Sequence, residues 1–180
     1  MRLVGERIIV RDLSFKDEEA FFEYAKSPNV GPNAGWKPVE SFELAKRLLA
    51  GQILAKDVFA IALKDSNKMI GSISIYNYGI RKYNKVKQLG FSLSEDYWNQ
   101  GYMTEAVKLV IDYVFNKTDC EVLEVGHHAG NIASKRVIEH CGFIFDGRLC
   151  KYKKLYDGRL IDADFYSMTI EDYERKKNYE

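Results

Sequence analysis

The sequence predicts an α+β fold, a central mixed sheet with helices packed on it. Three observations lead there. Apolar residues change period repeatedly along the chain, from strand alternation to helical spacing and back. The segments run β, α, α, β, β, β, α, β, α, β, β, an order in which helices and hairpins share one sheet. Finally, a helical segment separates the alternating run that ends at Leu93 from the one at 121–125, so those two strands form a βαβ unit and are expected to be parallel. The 180 residues, 46% of them hydrophobic, suffice for one domain with a single core, taken here as 1–180, and are too few for two ordinary ones.

The chain begins with a short β-like run, Ile8-Ile9-Val10, ended by Arg11-Asp12. Ser14 lies three residues before Asp17, a loose capping arrangement, and Ala20, Phe21, Tyr24 and Ala25 put a helical stripe on 15–26. Pro28, Pro32 and Pro38, with Gly31 and Gly35 between them, make 27–39 a loop outside regular structure. Trp36 in its middle either plugs the loop onto the core or walls a bound substrate. Ser41 caps a second helix that runs to Ala55 with Leu44, Leu48, Leu49 and Ile53 inward. The runs 58–63 and 69–75, joined by the turn 64–68, form a hairpin. Arg81, Lys82, Lys85 and Lys87 mark a basic connection to the strand ending near Leu93, a solvated turn from which some charges could meet phosphates. Met103, Val107, Val110, Ile111 and Val114 then line one face of a third helix, to about Phe115. After the strand 121–125, a fourth helix spans 131–140 and closes at Gly142 in the C′ position. From 143 to 169 the pattern alternates again around Asp157-Gly158, a strong hairpin signal.

A formal net charge of +1 argues against a protein whose main work is gripping nucleic acid. Cys120, Cys141 and Cys150 are odd in number and scattered, without a CxxC pair, which points to a reducing cytosol rather than a disulfide framework. The N-terminus lacks the apolar core of a signal peptide, and no run approaches a membrane span. A soluble cytoplasmic protein, monomer or homodimer, without membrane or nucleic-acid partner, is the expectation. His127 and His128 are adjacent at a strand end, so their side chains point to opposite faces and cannot easily share a metal; none is expected. His140 sits in a helix beside Cys141, whose place is one of core packing.

The chemistry concentrates at Tyr97-Trp98-Asn99-Gln100-Gly101-Tyr102-Met103-Thr104-Glu105-Ala106, between a strand and an amphipathic helix. A glycine at the mouth of a helix leaves the first backbone N–H groups unpaired and outward, at the positive end of the helix dipole, which suits a pyrophosphate. Gly101 lets the backbone come close, and Thr104 can add a hydroxyl. A single glycine before a helix is otherwise ordinary capping chemistry.

Leu89-Gly90-Phe91-Ser92-Leu93, the Trp98-x-x-Gly101-Tyr102-x-Thr104-Glu105-Ala106 loop and Asn131-x-x-Ser134, closed by Gly142-Phe143, resemble in combination the acetyl-CoA-binding core of the GNAT acetyltransferase superfamily. The similarity is strongest to the ribosomal-protein N-terminal alanine acetyltransferase branch and covers most of the chain, with 6–11 matching the first strand of that branch. The resemblance implies a GNAT-like sheet with a splayed parallel strand pair at the cofactor site. It also implies that the amides of Asn99, Gln100, Gly101, Tyr102, Met103 and Thr104 hold the CoA pyrophosphate. Phe91, Ser92 and Leu93 would pair with the pantetheine like an added strand, with one N–H aimed at the thioester oxygen. Asn131 would contact the pantetheine arm and help to position the thioester. Two departures stand out: Trp98 and Met103 replace the usual Gln or Arg and a small residue in the phosphate loop, and Ile138 replaces the tyrosine that many members use as general acid. Ser134 is then the nearest replacement.

The activity implied by the resemblance is transfer of an acetyl group from acetyl-CoA to an amine by direct attack in a ternary complex, the acceptor being a protein or peptide N-terminal amine. Trp36 is the candidate wall of the acceptor site; one of His127 or His128 could face it, but structural or surface roles for both are the favoured reading. The alternatives are a small-molecule acetyltransferase acting on a polyamine, amino sugar or antibiotic, and a CoA-binding sensor without catalysis.

Overall fold

The alternating runs pair edge to edge into one eight-stranded sheet, and the amphipathic runs cover its two faces. The computed structural model describes residues 1–178. In chain order these hold β1 (Arg2–Val4), β2 (Ile8–Asp12), α1 (Glu18–Ala25), α2 (Val30–Ala34), α3 (Phe42–Ala55), β3 (Val58–Leu63), β4 (Met69–Tyr76) and β5 (Val86–Leu93). They continue with α4 (Tyr102–Lys117), β6 (Val122–His128), α5 (Ile132–His140), β7 (Ile144–Lys154), β8 (Leu160–Thr169) and α6 (Ile170–Lys177). The strand order is β1-β2-β3-β4-β5-β6-β8-β7. Neighbours are antiparallel except β5 and β6, which are parallel as a βαβ unit with α4 as its crossover requires. No helix among the described residues is long and apolar enough to cross a membrane.

Two apolar layers hold the sheet. On one face the stripe Met103, Ala106, Val107, Val110, Ile111 and Val114 of α4 is buried against Ile8, Val10, Leu89, Leu123 and Val125. Each fully buried valine or isoleucine contributes roughly 1.5–3 kcal/mol, so this helix is anchored by its inward face. On the other face Phe21, Tyr24 and Ala25 of α1 meet Ala45 and Leu49 of α3 over Ala60 and Met69. Arg11 and Asp17 tie β2 to the start of α1 through a two-pronged contact of 2.7 and 2.9 Å, with Asp17 buried.

Several elements differ from the sequence expectation. Within the predicted loop 27–39, residues Val30–Ala34 form a short helix. Pro32 does not prevent it, because it occupies the first turn, where the backbone N–H has no helical partner. Leu48 is exposed rather than inward, since α3 turns Ala45 and Leu49 to the sheet. Arg81 is no solvated turn residue: its Nη1 donates to Glu124 Oε1 at 2.7 Å and its Nη2 to Asp146 Oδ1 at 3.0 Å, which keeps the buried Glu124 carboxylate paired. β6 runs three residues beyond Val125. The edge strand β1 and the final helix α6 have no counterpart in the sequence expectation. β1 is only three residues long, and α6 begins at a Thr169–Asp172 capping box directly where β8 ends, so no turn signal separates them.

Candidate active site

The parallel pairing of β5 and β6 lasts only from Val86–Val122 to Leu89–Val125. Beyond it β5 stays on β4 as far as Leu93–Gly71, while β6 leans to β8 as far as His128–Ala163. The sheet is forked there. The Ser94 N–H donates to the Ile70 carbonyl at 2.8 Å. Since bonded and non-bonded pairs alternate along an antiparallel ladder, Ser92 and Gly90 spend their main-chain groups on β4, and those of Phe91 and Leu93 face the fork. Trp98 Nε1 donates to the Leu93 carbonyl at 2.8 Å and closes the end of the strand. That gives Trp98 a structural task at the head of the loop.

The loop then delivers its amides to a cavity of about 310 Å³ on the α4 face. Asn99 and Gly101 both adopt positive φ, at 58° and 81°, and Gly101 is the N-cap of α4. The first helical hydrogen bond runs from the Glu105 N–H to the Gly101 carbonyl at 3.0 Å, so the amides of Tyr102, Met103 and Thr104 have no helical acceptor. These three residues line the cavity together with Asn99 and Gly101. Gln100 does not; its side chain turns back to donate to the Asp96 carbonyl at 2.7 Å.

Arg7, which no sequence motif marks, holds this loop from beneath. Its Nη1 donates to the Gln100 carbonyl at 2.8 Å and its Nε to Glu105 Oε2 at 3.0 Å, and its guanidinium lies 4.5 Å over the Tyr102 ring. Burial pushes the Glu105 carboxyl up, but the hydrogen bonds from the Arg7 main chain and side chain outweigh it and hold it below its ordinary value. The contact spans more than ninety residues, so no local pattern announces it.

The far wall of the cavity is α5. Asn131 is its N-cap: Oδ1 accepts from the Ser134 N–H at 3.1 Å, and Nδ2 donates to the Asn33 carbonyl of α2 at 3.3 Å. The helix α2 thereby bridges the tips of the fork. Ser134 lines the cavity, and its hydroxyl makes no hydrogen bond to a described residue. Ile138 is fully buried and so could present no acid, whatever its chemistry. Arg136 and His140 also line this cavity, a placement readable in the i, i+3, i+7 spacing from Ala133.

A second cavity, of about 370 Å³, opens on the opposite face of the sheet. It shares Ala34, Phe91 and Ser92 with the first and adds Trp36, Gln52, Tyr76, His128, Tyr152 and Lys153. Trp36 packs against the α1–α3 core and also lines this cavity. Gln52 Oε1 is buried there without a partner among the described residues. Both adjacent histidines border this cavity, with different surroundings. His127 is buried, between the His128 carbonyl at 2.8 Å and the Tyr166 hydroxyl at 3.4 Å, whereas the His128 ring is half-buried at the cavity. Burial, then the nearby Lys153 and His127, push the His128 imidazole below its ordinary value. Among the described residues no group of three or more His, Cys, Asp or Glu is placed to hold a metal.

The chain has relatives among known proteins. The sequence model of the Acetyltransferase (GNAT) domain matches residues 7–144. The uncharacterized N-acetyltransferase p20 of Bacillus licheniformis is 26% identical over 179 residues, covering 95% of this chain and 97% of that protein. Among solved structures, a GNAT-family acetyltransferase from Bacillus anthracis superposes with a TM-score of 0.86 at 24% identity, covering 95% of this chain and 99% of the other. The ribosomal-protein-S5-alanine acetyltransferase of Vibrio fischeri superposes with a TM-score of 0.76 at 23% identity, covering 96% and 98%. The chain belongs to the GNAT acetyltransferase family and is an N-acetyltransferase.

Proposed function

We propose that the enzyme takes acetyl-CoA into the α4-face cavity and an α-amine, that of a peptide or protein N-terminus, into the opposite one, and transfers the acetyl group directly between them. The observation that carries this is the fork: two cavities on opposite faces of one sheet meet at Phe91 and Ser92. Acetyl-CoA, when bound, supplies the acetyl group as a thioester. The donor set fits it. Three partnerless amides at the start of α4 suit a pyrophosphate, and the fork-facing main-chain groups of Phe91 with the N–H of Leu93 suit the amides of pantetheine. Asn131 lines the arm's path and fixes α2 over it, and Ser134 offers its free hydroxyl to the departing sulfur.

Direct transfer is favoured because no cysteine lines either cavity, and burial pushes the thiols of Cys120 and Cys141 up to about 11, away from nucleophilic thiolate. The acceptor cavity also bears on the small-molecule alternative. It is lined by Lys153 and two histidines and by no aspartate or glutamate. A polyamine or aminoglycoside carries several positive charges and would lack carboxylates to meet them. An α-amine has a pKa near ~8 and a lysine amine near ~10.4, so presenting neutral lysine costs roughly 3 kcal/mol more.

Thiol release from acetyl-CoA, measured with N-terminal peptides, internal-lysine peptides, spermidine and an amino sugar, tests the assignment. Fastest turnover is expected with the free N-terminal peptides; faster turnover of internal lysine or spermidine would reverse it. Tight acetyl-CoA binding without thiol release from any amine would instead favour the sensor.

A further inference from the structure

We propose that His128 is the catalytic base that takes the proton from the attacking amine. The inference rests on the acceptor assignment above only for the side from which the amine enters. Of the two histidines at the end of β6, His127 is committed: its ring lies tilted against Tyr166 at 5.6 Å and both ring nitrogens have neighbours within 3.4 Å. The His128 ring has no hydrogen-bond partner among the described residues, and it lines the acceptor cavity along with Gly90, Phe91 and Ser92 of the fork. Its position is pinned by α2. A Cβ built on Gly35, the left-handed C-cap of that helix, would come within 2.9 Å of His128 Nε2 and 2.8 Å of Lys153 Nζ. The Nε2–Cε1 edge of the ring therefore lies against the Gly35 end of α2, beside Lys153 and at the cavity.

The charges around it suit a base. The titratable groups facing this space are Lys153 and Tyr152 of β7, Tyr76 of β4 and His127 of β6 itself, and no carboxylate is among the lining residues. Burial of the ring, then Lys153 and His127, oppose a further positive charge there, so the imidazole is held toward its neutral form, and its Nδ1–H tautomer presents the Nε2 lone pair. At pH 7 roughly a tenth of an α-amine is neutral. As that nitrogen forms the N–C bond to the acetyl carbon, the C–S bond breaks. The nitrogen then sheds a proton to His128 Nε2, the sulfur leaves as CoA thiolate, and His128 returns its proton to water. Atoms and charge balance without another reactant.

The test uses the full chain with the best amine found in the thiol-release screen, so an error in acceptor class changes the substrate and leaves this comparison intact. His128→Gln is expected to lower kcat about a hundredfold, the lower end of what general-base catalysis supplies, with acetyl-CoA affinity unchanged. In the wild type, log kcat/KM should fall with pH in two steps, one set by the amine and one by His128, and reach slope two. In His128→Gln only the amine step remains, with slope one. Added imidazole should restore part of the rate to His128→Gly. His127→Gln is expected to lower the melting temperature and to keep both steps. An unchanged kcat and an unchanged pH profile in His128→Gln would overturn the proposal, as would loss of the second step in His127→Gln with its retention in His128→Gln. A His128→Gln variant that melts early would leave the decision to the slope of its profile below its melting temperature, where slope two refutes and slope one supports.

Discussion

Replacing Gly101 by valine tests whether the α4 loop holds the cofactor through its backbone. Gly101 sits at φ 81° and is the last residue before the three partnerless amides. A side chain in this left-handed region costs roughly 1–3 kcal/mol, with β-branched residues at the upper end. Space offers little relief or obstacle: a Cβ would meet Arg7 Nη2 at 3.3 Å, the end of a flexible chain. The strain can be relieved by swinging φ negative, which turns the Tyr102 and Met103 amides away from the cavity. Weakening two charge-assisted bonds and retaining part of the strain gives a loss of about 2–3 kcal/mol, or roughly thirty- to a hundredfold in Kd. Gln100→Ala is the control. It deletes one exposed hydrogen bond to the Asp96 carbonyl, outside the cavity, and should change Kd less than about fivefold. Titration calorimetry with CoA measures both. Equal, small effects of the two changes would refute backbone recognition at this loop, and a larger effect of Gln100→Ala would move recognition to side chains.

The same geometry sets two further outcomes. Ser134→Ala should lower kcat roughly ten- to a hundredfold with acetyl-CoA affinity nearly intact, because the α5 cap uses its N–H and not its hydroxyl; steady-state kinetics beside calorimetry checks this, and collapse of affinity would make it a binding residue. Asp17→Ala should cost about 3 kcal/mol in urea unfolding, by leaving the largely buried Arg11 guanidinium uncompensated. Burial pushes the Asp17 carboxyl up, but the Arg11 hydrogen bonds and the Ser14 N–H hold it below its ordinary value. Its contribution is therefore complete above the ordinary carboxylate range and fades as pH falls through the lower folded value, below about pH 4. The Asp17→Ala variant should lose that segment of the acid-unfolding curve.

Elements with strong period or local chemistry were readable from the amino-acid order alone. The α4 stripe, the β5–α4–β6 crossover, the glycine at the helix mouth and the Asp157-Gly158 turn are local patterns, each enforced by backbone geometry within a few residues. The residues lining the α4-face cavity were legible for the same reason: the loop, Asn131 and Ser134 belong to short motifs on continuous chain. Tertiary structure decided whatever depends on contacts between distant segments. Arg7 reaches the loop across the sheet, Trp98 is spent on the Leu93 carbonyl, and the proline-rich 27–39 folds as α2 because its first turn can take Pro32 and its end can lean on Asn131. The roles of the two histidines separated only there as well. Both border the second cavity, and what packs against each sets them apart, Tyr166 against the buried His127 and the Gly35 end of α2 beside the half-buried His128.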